Sequence, residues 1–188
     1  GHWDERWGVD GSAAQVDVWQ AFVQALAPLS GADLDQLREQ VRREVQDNGV
    51  TYNVYADSDK PQRPWSLDLF PVLLDASAWQ HITTGVQQRM ALLERIAADA
   101  YGPQELVAQG RLPAALVQGH PGYLPELHGV TPVGGRYLNL AAFDLARGPD
   151  GLWWLLSQRT QAPSGLGYLL ENRSLIARSL APAFDALQ

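Results

Sequence analysis

A mixed α/β (α+β) fold is what this sequence predicts, on three observations. Two segments near the start space their apolar residues as helices do. Three later strings are rich in β-formers, and a long helical stripe separates the first of them from the other two.

Taken in order, Val16, Trp19, Phe22, Val23 and Leu26 share one helical face within residues 13–29. A second helix is expected over 33–47. Asp33 lies near its start, Leu34, Leu37, Val41 and Val45 form its stripe, and Asn48-Gly49 ends it as helix C-termini prefer. The two read as an antiparallel pair, a helical lead-in over 1–47 to a domain over 48–188. Residues 50–55 alternate and read as a strand, and a turn-rich run through Pro64 follows. A helix is expected from about Asp75 to Tyr101, with Trp79, Ile82, Val86, Met90 and Leu93 toward the core. Gly102-Pro103 stops it, and a short helix over 104–109 follows. Glycine and proline recur over 110–135, and irregular structure of that length is often functional. His120 and His128 lie in this glycine-rich stretch and are candidates to reach a pocket. Strands over 136–146 and 152–159 flank the tight turn Gly148-Pro149-Asp150-Gly151, and a last helix spans about 168–180.

Composition narrows the function. A chain of 188 residues can bury a core unaided, and a mean hydropathy of -0.20 is that of an ordinary folded protein. A net charge of -7 repels phosphate backbones, so no nucleic-acid partner is expected. Lys60 is the only lysine, so positive charge is almost entirely arginine. Without cysteine there is neither a disulfide frame nor a thiolate metal site. No apolar run approaches the ~20 residues of a membrane span, and the start Gly1-His2-Trp3-Asp4 is no signal peptide. A cytoplasmic protein is expected. Seven tryptophans exceed what such a core usually needs, which points some of them at a partner.

Common catalytic signatures are absent. There is no P-loop, no dinucleotide fingerprint and no nucleophile elbow. The four histidines lack metal-ligand spacing. The last quarter says more. Asp144 and Arg147 stand at the end of one strand, and Ser157, Gln158 and Arg159 at the end of the next. Ser164 and Gly165 open the following segment, and Glu171, Asn172 and Arg173 lie on the last helix. Polar groups at strand ends, beside a small-residue turn and a helix N-terminus, can cradle an anion or carboxylate. The plainer reading pairs Asp144 with Arg147, or Glu171 with Arg173, as surface ions.

Several strings carry a resemblance: 48–55, 63–68 with Pro71, Gln88-Arg89 with Asp99-Ala100-Tyr101-Gly102, 140–147, and Pro163-Ser164-Gly165-Leu166-Gly167-Tyr168 through Arg173. In this order the chain resembles the bacterial circularly permuted ATP-grasp proteins, type 2, over roughly residues 48–185. The resemblance implies a fold related to glutathione and glutathionylspermidine synthetases. It also implies an amide or peptide ligase that uses ATP and magnesium, of which this chain is the N-terminal, substrate-side portion, not an enzyme by itself. The partners implied are the remainder of a longer ATP-grasp chain, or a second copy on an exposed apolar face, with an amino acid or peptide as substrate. Asp144, Arg159, Ser164, Gly165 and Arg173 are the expected substrate-binding residues. Where many relatives read Glu-Asp-Asn, here Ser157-Gln158-Arg159 stands, a poor substitute for oxygen ligands of magnesium. No metal is therefore expected on this chain, Asp144 being the one carboxylate left to face a cation. The competing expectation is a non-catalytic peptide-binding or scaffold domain built on the same fold.

Overall fold

Seven α-helices, two short 3-10 helices and two two-stranded sheets follow one another among the residues that the computed structural model describes, which are 4, 6, 16–52 and 63–187. The class is the mixed α/β class read from the sequence. The helices are α1 (Val16–Leu26), α2 (Gly31–Asp47), α3 (Ala76–Tyr101), α4 (Glu105–Ala108), α5 (Ala114–Val117), α6 (Leu166–Ser179) and α7 (Ala181–Asp185). The strands are β1 (Thr51–Tyr52) paired antiparallel with β2 (Arg63–Pro64), and β3 (Ala142–Arg147) paired with β4 (Trp153–Arg159). Residues 53–55 of the expected first strand, Lys60, Trp3 and Trp7 lie outside the described residues. The chain divides into two compact units. Unit 1 holds the described residues up to Ala76, Arg147–Leu152 and those from Ser164 onward; unit 2 holds Ser77–Ala146 and Trp153–Pro163.

Unit 1 carries the core. α2 begins at Ser30, whose hydroxyl accepts the Asp33 N–H at 3.2 Å while the Asp33 carboxylate accepts the Ser30 N–H at 2.8 Å, a reciprocal cap. The Ser30 side-chain and backbone bonds hold the Asp33 carboxyl below its usual range. Val41 and Val45, one turn apart on α2, are buried with Leu175 and Ile176 of α6 and with Leu180 and Ala183 beyond it. α6 ends at Ser179, and after the non-helical Leu180 the chain restarts as α7, with Pro182 in its first turn, where its missing N–H costs nothing. The main partner of α1 is α7, and that of α2 is α6, so the two N-terminal helices pack chiefly on the C-terminal helices and not on each other as an isolated pair.

Unit 2 is organised by the end of α3. The Asp99 carboxylate accepts the N–H groups of Glu105 and Leu106, at 2.8 and 3.1 Å, and so caps α4. Tyr101 stacks on Tyr123 at 5.1 Å and on Tyr137 at 5.9 Å, and its hydroxyl accepts the Leu124 N–H. The glycine-rich stretch is thereby pinned to α3. His120 serves a local turn there, its Nδ1 accepting the Gly122 N–H at 3.0 Å. The expected strand over 136–146 starts only at Ala142. The reason is Glu94, whose carboxylate takes the N–H groups of Tyr137 and Leu138 at 2.8 and 2.7 Å, bonds that a strand partner would otherwise accept. The β3–β4 turn closes with Gly148 N–H donating to Leu152 O at 2.8 Å, and Gly151 supplies the positive φ of 76° the turn needs. Unlike unit 1, unit 2 has no fully buried side chain.

Gly102 shows how tight the end of α3 is. A Cβ there would stand 2.6 Å from the Ala98 carbonyl oxygen, a backbone atom with no freedom to swing aside. Gly102→Ala is expected to cost about 1–3 kcal/mol, the range for overpacking. A urea denaturation curve with an unchanged midpoint would show that the backbone relaxes freely.

Candidate functional site

The end of the β3–β4 hairpin gathers three of the polar residues read from the sequence. Asp144 on β3 is the hub: its Oδ2 accepts the Ser157 hydroxyl, and its Oδ1 accepts Arg159 Nη2 at 3.0 Å. Both partners come from β4, where strand pairing brings them beside Asp144. About half of each side chain in the Asp144–Arg159 pair is exposed, 47% and 54%, so the ion pair itself stabilises little. It does orient the guanidinium, whose planar fork carries five donors, of which one is used by Asp144. Arg147 is not the partner of Asp144; its Nε donates to Gly151 O at 3.1 Å and braces the turn.

The start of α6 gives a second polar locus, within unit 1. Gly165 caps the helix with φ 117°, a conformation L side chains rarely adopt. A cavity of about 370 Å³ opens beside it, lined by Asn48, Thr51, Gly165, Gly167, Tyr168 and Glu171 among others. Its walls are fixed by bonds across the unit. Asn48 Nδ2 donates to Glu171 Oε1 at 2.5 Å, and the Tyr168 hydroxyl donates to Thr51 O at 2.7 Å. Trp65 stacks on Tyr168 at 4.5 Å and donates its indole N–H to Asn172 Oδ1 at 3.0 Å.

Of the five expected substrate-binding residues, Asp144 and Arg159 are brought together in unit 2, joined there by Ser157. Ser164 and Gly165 lie at the start of α6 in unit 1. Arg173 does not join them. It stands eight residues beyond Gly165, about 12 Å along the helix axis, with its guanidinium 5.3 Å above the Phe184 ring of α7. Glu171 and Asn172 fix α6 to Asn48 at the end of α2 and to Trp65, and Glu171 also lines the cavity. Asn48, Thr51 and Tyr168 were not singled out as site residues. The only signal was their place in the strings that carry the family resemblance, since no spacing rule brings Asn48 to Glu171.

Magnesium does not fit the hairpin end. Both oxygens of Asp144 are engaged by donors, one of them a guanidinium that repels a cation. Among the described residues no three His, Cys, Asp or Glu side chains cluster to hold a metal ion. An anion suits the Arg159 fork better.

Comparison with known proteins supplies the wider frame. The family model described as circularly permuted ATP-grasp type 2 matches residues 71–188. An uncharacterized protein of Mycobacterium tuberculosis is 34% identical over 177 residues, covering 90% of this chain and 20% of its own length. An uncharacterized protein of Synechocystis sp. is 30% identical over 162 residues, 86% of this chain and 34% of that one. A Frankia casuarinae protein whose name proposes a glutamate–cysteine ligase is 34% identical over 174 residues, 93% of this chain and 20% of its own. The chain thus spans about a fifth to a third of the length of these relatives.

Proposed function

Since this chain belongs to the circularly permuted ATP-grasp type 2 family, we propose that it is the substrate-side portion of an ATP-dependent carboxylate–amine ligase. The substrate is an amino acid or short peptide whose carboxylate meets Arg159. The observation that carries this reading is the Asp144–Ser157–Arg159 cluster, which fixes a guanidinium at a strand end with donors to spare. The Frankia casuarinae relative, whose name proposes a glutamate–cysteine ligase, supports the same class. Ser164 and the backbone at Gly165, at the start of α6, contribute polar groups for the substrate's main chain. The likeness to glutathione and glutathionylspermidine synthetases belongs to this proposal.

ATP supplies phosphoryl activation of the carboxylate in such ligation. Nucleotide and magnesium are placed by this reading on polypeptide other than the described residues, because the hairpin end does not suit a cation and the sole lysine is not among them. The remainder of an ATP-grasp chain is therefore the first partner, with self-association of this chain the second. No helix among the described residues is long and apolar enough to cross a membrane; a cytoplasmic setting is part of the proposal.

Isothermal titration of the chain with glutamate and with γ-glutamyl peptides tests the reading. Arg159→Ala is expected to weaken binding about tenfold or more, the loss of a charge-assisted bond. Equal affinity of wild type and variant would remove Arg159 from the site. A second reading, a non-catalytic peptide-binding module, draws on the engagement of both Asp144 oxygens by Ser157 and Arg159. ATP hydrolysis by the longer Mycobacterium tuberculosis relative when peptides are supplied separates the two, since only the ligase reading expects it.

A further inference from the structure

We propose that the groove between α3 and the β3–β4 hairpin, wholly within unit 2, binds a small apolar carboxylate. Its source is either a free aryl or branched-chain acid or the carboxy-terminal residue of a peptide. This inference is independent of the ligase reading and concerns different residues.

The groove holds about 230 Å³. That is below the roughly 300–1,000 Å³ of sites for drug-sized ligands, so its occupant is about the size of one amino-acid side chain. Phe143, Leu145, Trp153 and Leu155 of the hairpin, all half-buried, form one wall, with Ile82 and Val86 of α3 facing them. On α3 the rim is polar: His81, Gln88 and Arg89, exposed and on the same helical face as Gly85. An apolar floor with a few polar groups at one edge is the usual form of a small-ligand site.

Two features point to an occupant from outside the chain. The first is Gly85. Glycine is the poorest helix former after proline, yet it sits well inside a 26-residue helix. A Cβ at Gly85 would meet nothing within 4 Å, so no neighbouring atom of the chain requires glycine there. Gly85 lines the groove, and a larger side chain would fill the space that the glycine keeps open. The second feature is charge. No acidic residue occurs on α3 before Glu94, whose carboxylate is taken by Tyr137 and Leu138. Arg89 accordingly makes no ion pair among the described residues, in a chain whose net charge is -7. A carboxylate at the edge of an apolar body answers both.

NMR titration of the chain, following the Trp153 indole signal, tests the proposal. The probes are 3-phenylpropanoate, its neutral amide, and a tetrapeptide ending in leucine with a free or an amidated terminus. A ligand of this size is expected to bind with a dissociation constant of about a millimolar. The two carboxylates are expected to bind about tenfold more tightly than their amides, and Arg89→Ala to erase that difference. Gly85→Leu is expected to abolish the shift while leaving the melting temperature equal or higher, since leucine favours the helix and meets open space. That variant separates a filled groove from an unfolded chain. Tighter binding of the peptide names a carboxy-terminal residue as the source, and tighter binding of phenylpropanoate names a free acid. No saturable shift at Trp153 with either carboxylate, equal binding of the amides, or undiminished binding by Gly85→Leu would overturn the proposal.

Discussion

Replacing Leu175 with alanine is expected to lower the stability of this chain by about 3–5 kcal/mol, the range for deleting a sealed leucine from a core that cannot collapse onto the gap. Leu175 is 0% exposed and lies in the buried cluster of the described residues, where α2 contributes Val41 and Val45 and the C-cap of α6 contributes Leu180. Helices approach it from the N-terminal and the C-terminal parts of the sequence, so the cavity would be held open from several sides. For a chain of this length such a loss corresponds to a fall in melting temperature of about 6–20 °C. Leu175→Met, nearly equal in volume, is expected to cost less than about 1.5 kcal/mol. Leu169→Ala on the same helix, where the side chain is 62% exposed, is expected to change stability by about 0.5 kcal/mol at most. Urea midpoints for the three variants check the ordering. Similar effects for Leu175→Ala and Leu169→Ala would mean that α6 is packed differently.

The second large effect is expected at Glu94. Its carboxylate is the acceptor for two successive backbone N–H groups, those of Tyr137 and Leu138, in a half-buried setting. Hydrogen bonds to a charged group contribute about 1.5–3 kcal/mol each, and a deserted buried donor adds its own desolvation cost. With solvent access reducing both terms, Glu94→Ala is expected to cost about 2–4 kcal/mol. Glu94→Gln, which keeps one carbonyl acceptor, is expected to cost about half as much. Amide hydrogen exchange at positions 137 and 138 reports the local effect: it is expected to accelerate in Glu94→Ala and to stay slow in wild type. If exchange there is unchanged, the carboxylate is not the acceptor in solution.

These two residues also show what the sequence could and could not disclose. The apolar stripe on α2 named Val41 and Val45 as inward-facing, and the structure buries both. A stripe states which face is apolar and is silent about what covers it. The two N-terminal helices were therefore read as each other's partners, whereas their main partners are α7 and α6. Likewise the β-rich composition from Arg136 onward was read as strand, and only from Ala142 onward is it strand. The competing acceptor, Glu94, is more than forty residues away, beyond any local pattern. The short α7 beyond the expected last helix is a finding of the structure, and Pro182 in its first turn fits there because proline lacks the N–H.

The site divides along the same line. Asp144, Ser157 and Arg159 meet because strands joined by a tight turn bring their free ends together, which is local geometry. The cavity beside Gly165 draws on Asn48 and Thr51, separated from Tyr168 by more than a hundred residues, and only the folded chain puts them together. Arg173 shared the motif but lies two turns down the helix, on the face that Phe184 covers.

One consequence follows from the contrast between the two units. No residue of unit 2 is buried as deeply as the core of unit 1, so opening that body exposes less sealed apolar surface than opening unit 1 would. By mass action, whatever seats on its folded form adds to the free energy opposing that opening in proportion to the logarithm of its concentration over its dissociation constant. An occupant of the groove would add appreciably to that opposition only once its concentration exceeds its dissociation constant. Occupancy of the groove would thus show as a higher melting temperature for this unit than for its empty form.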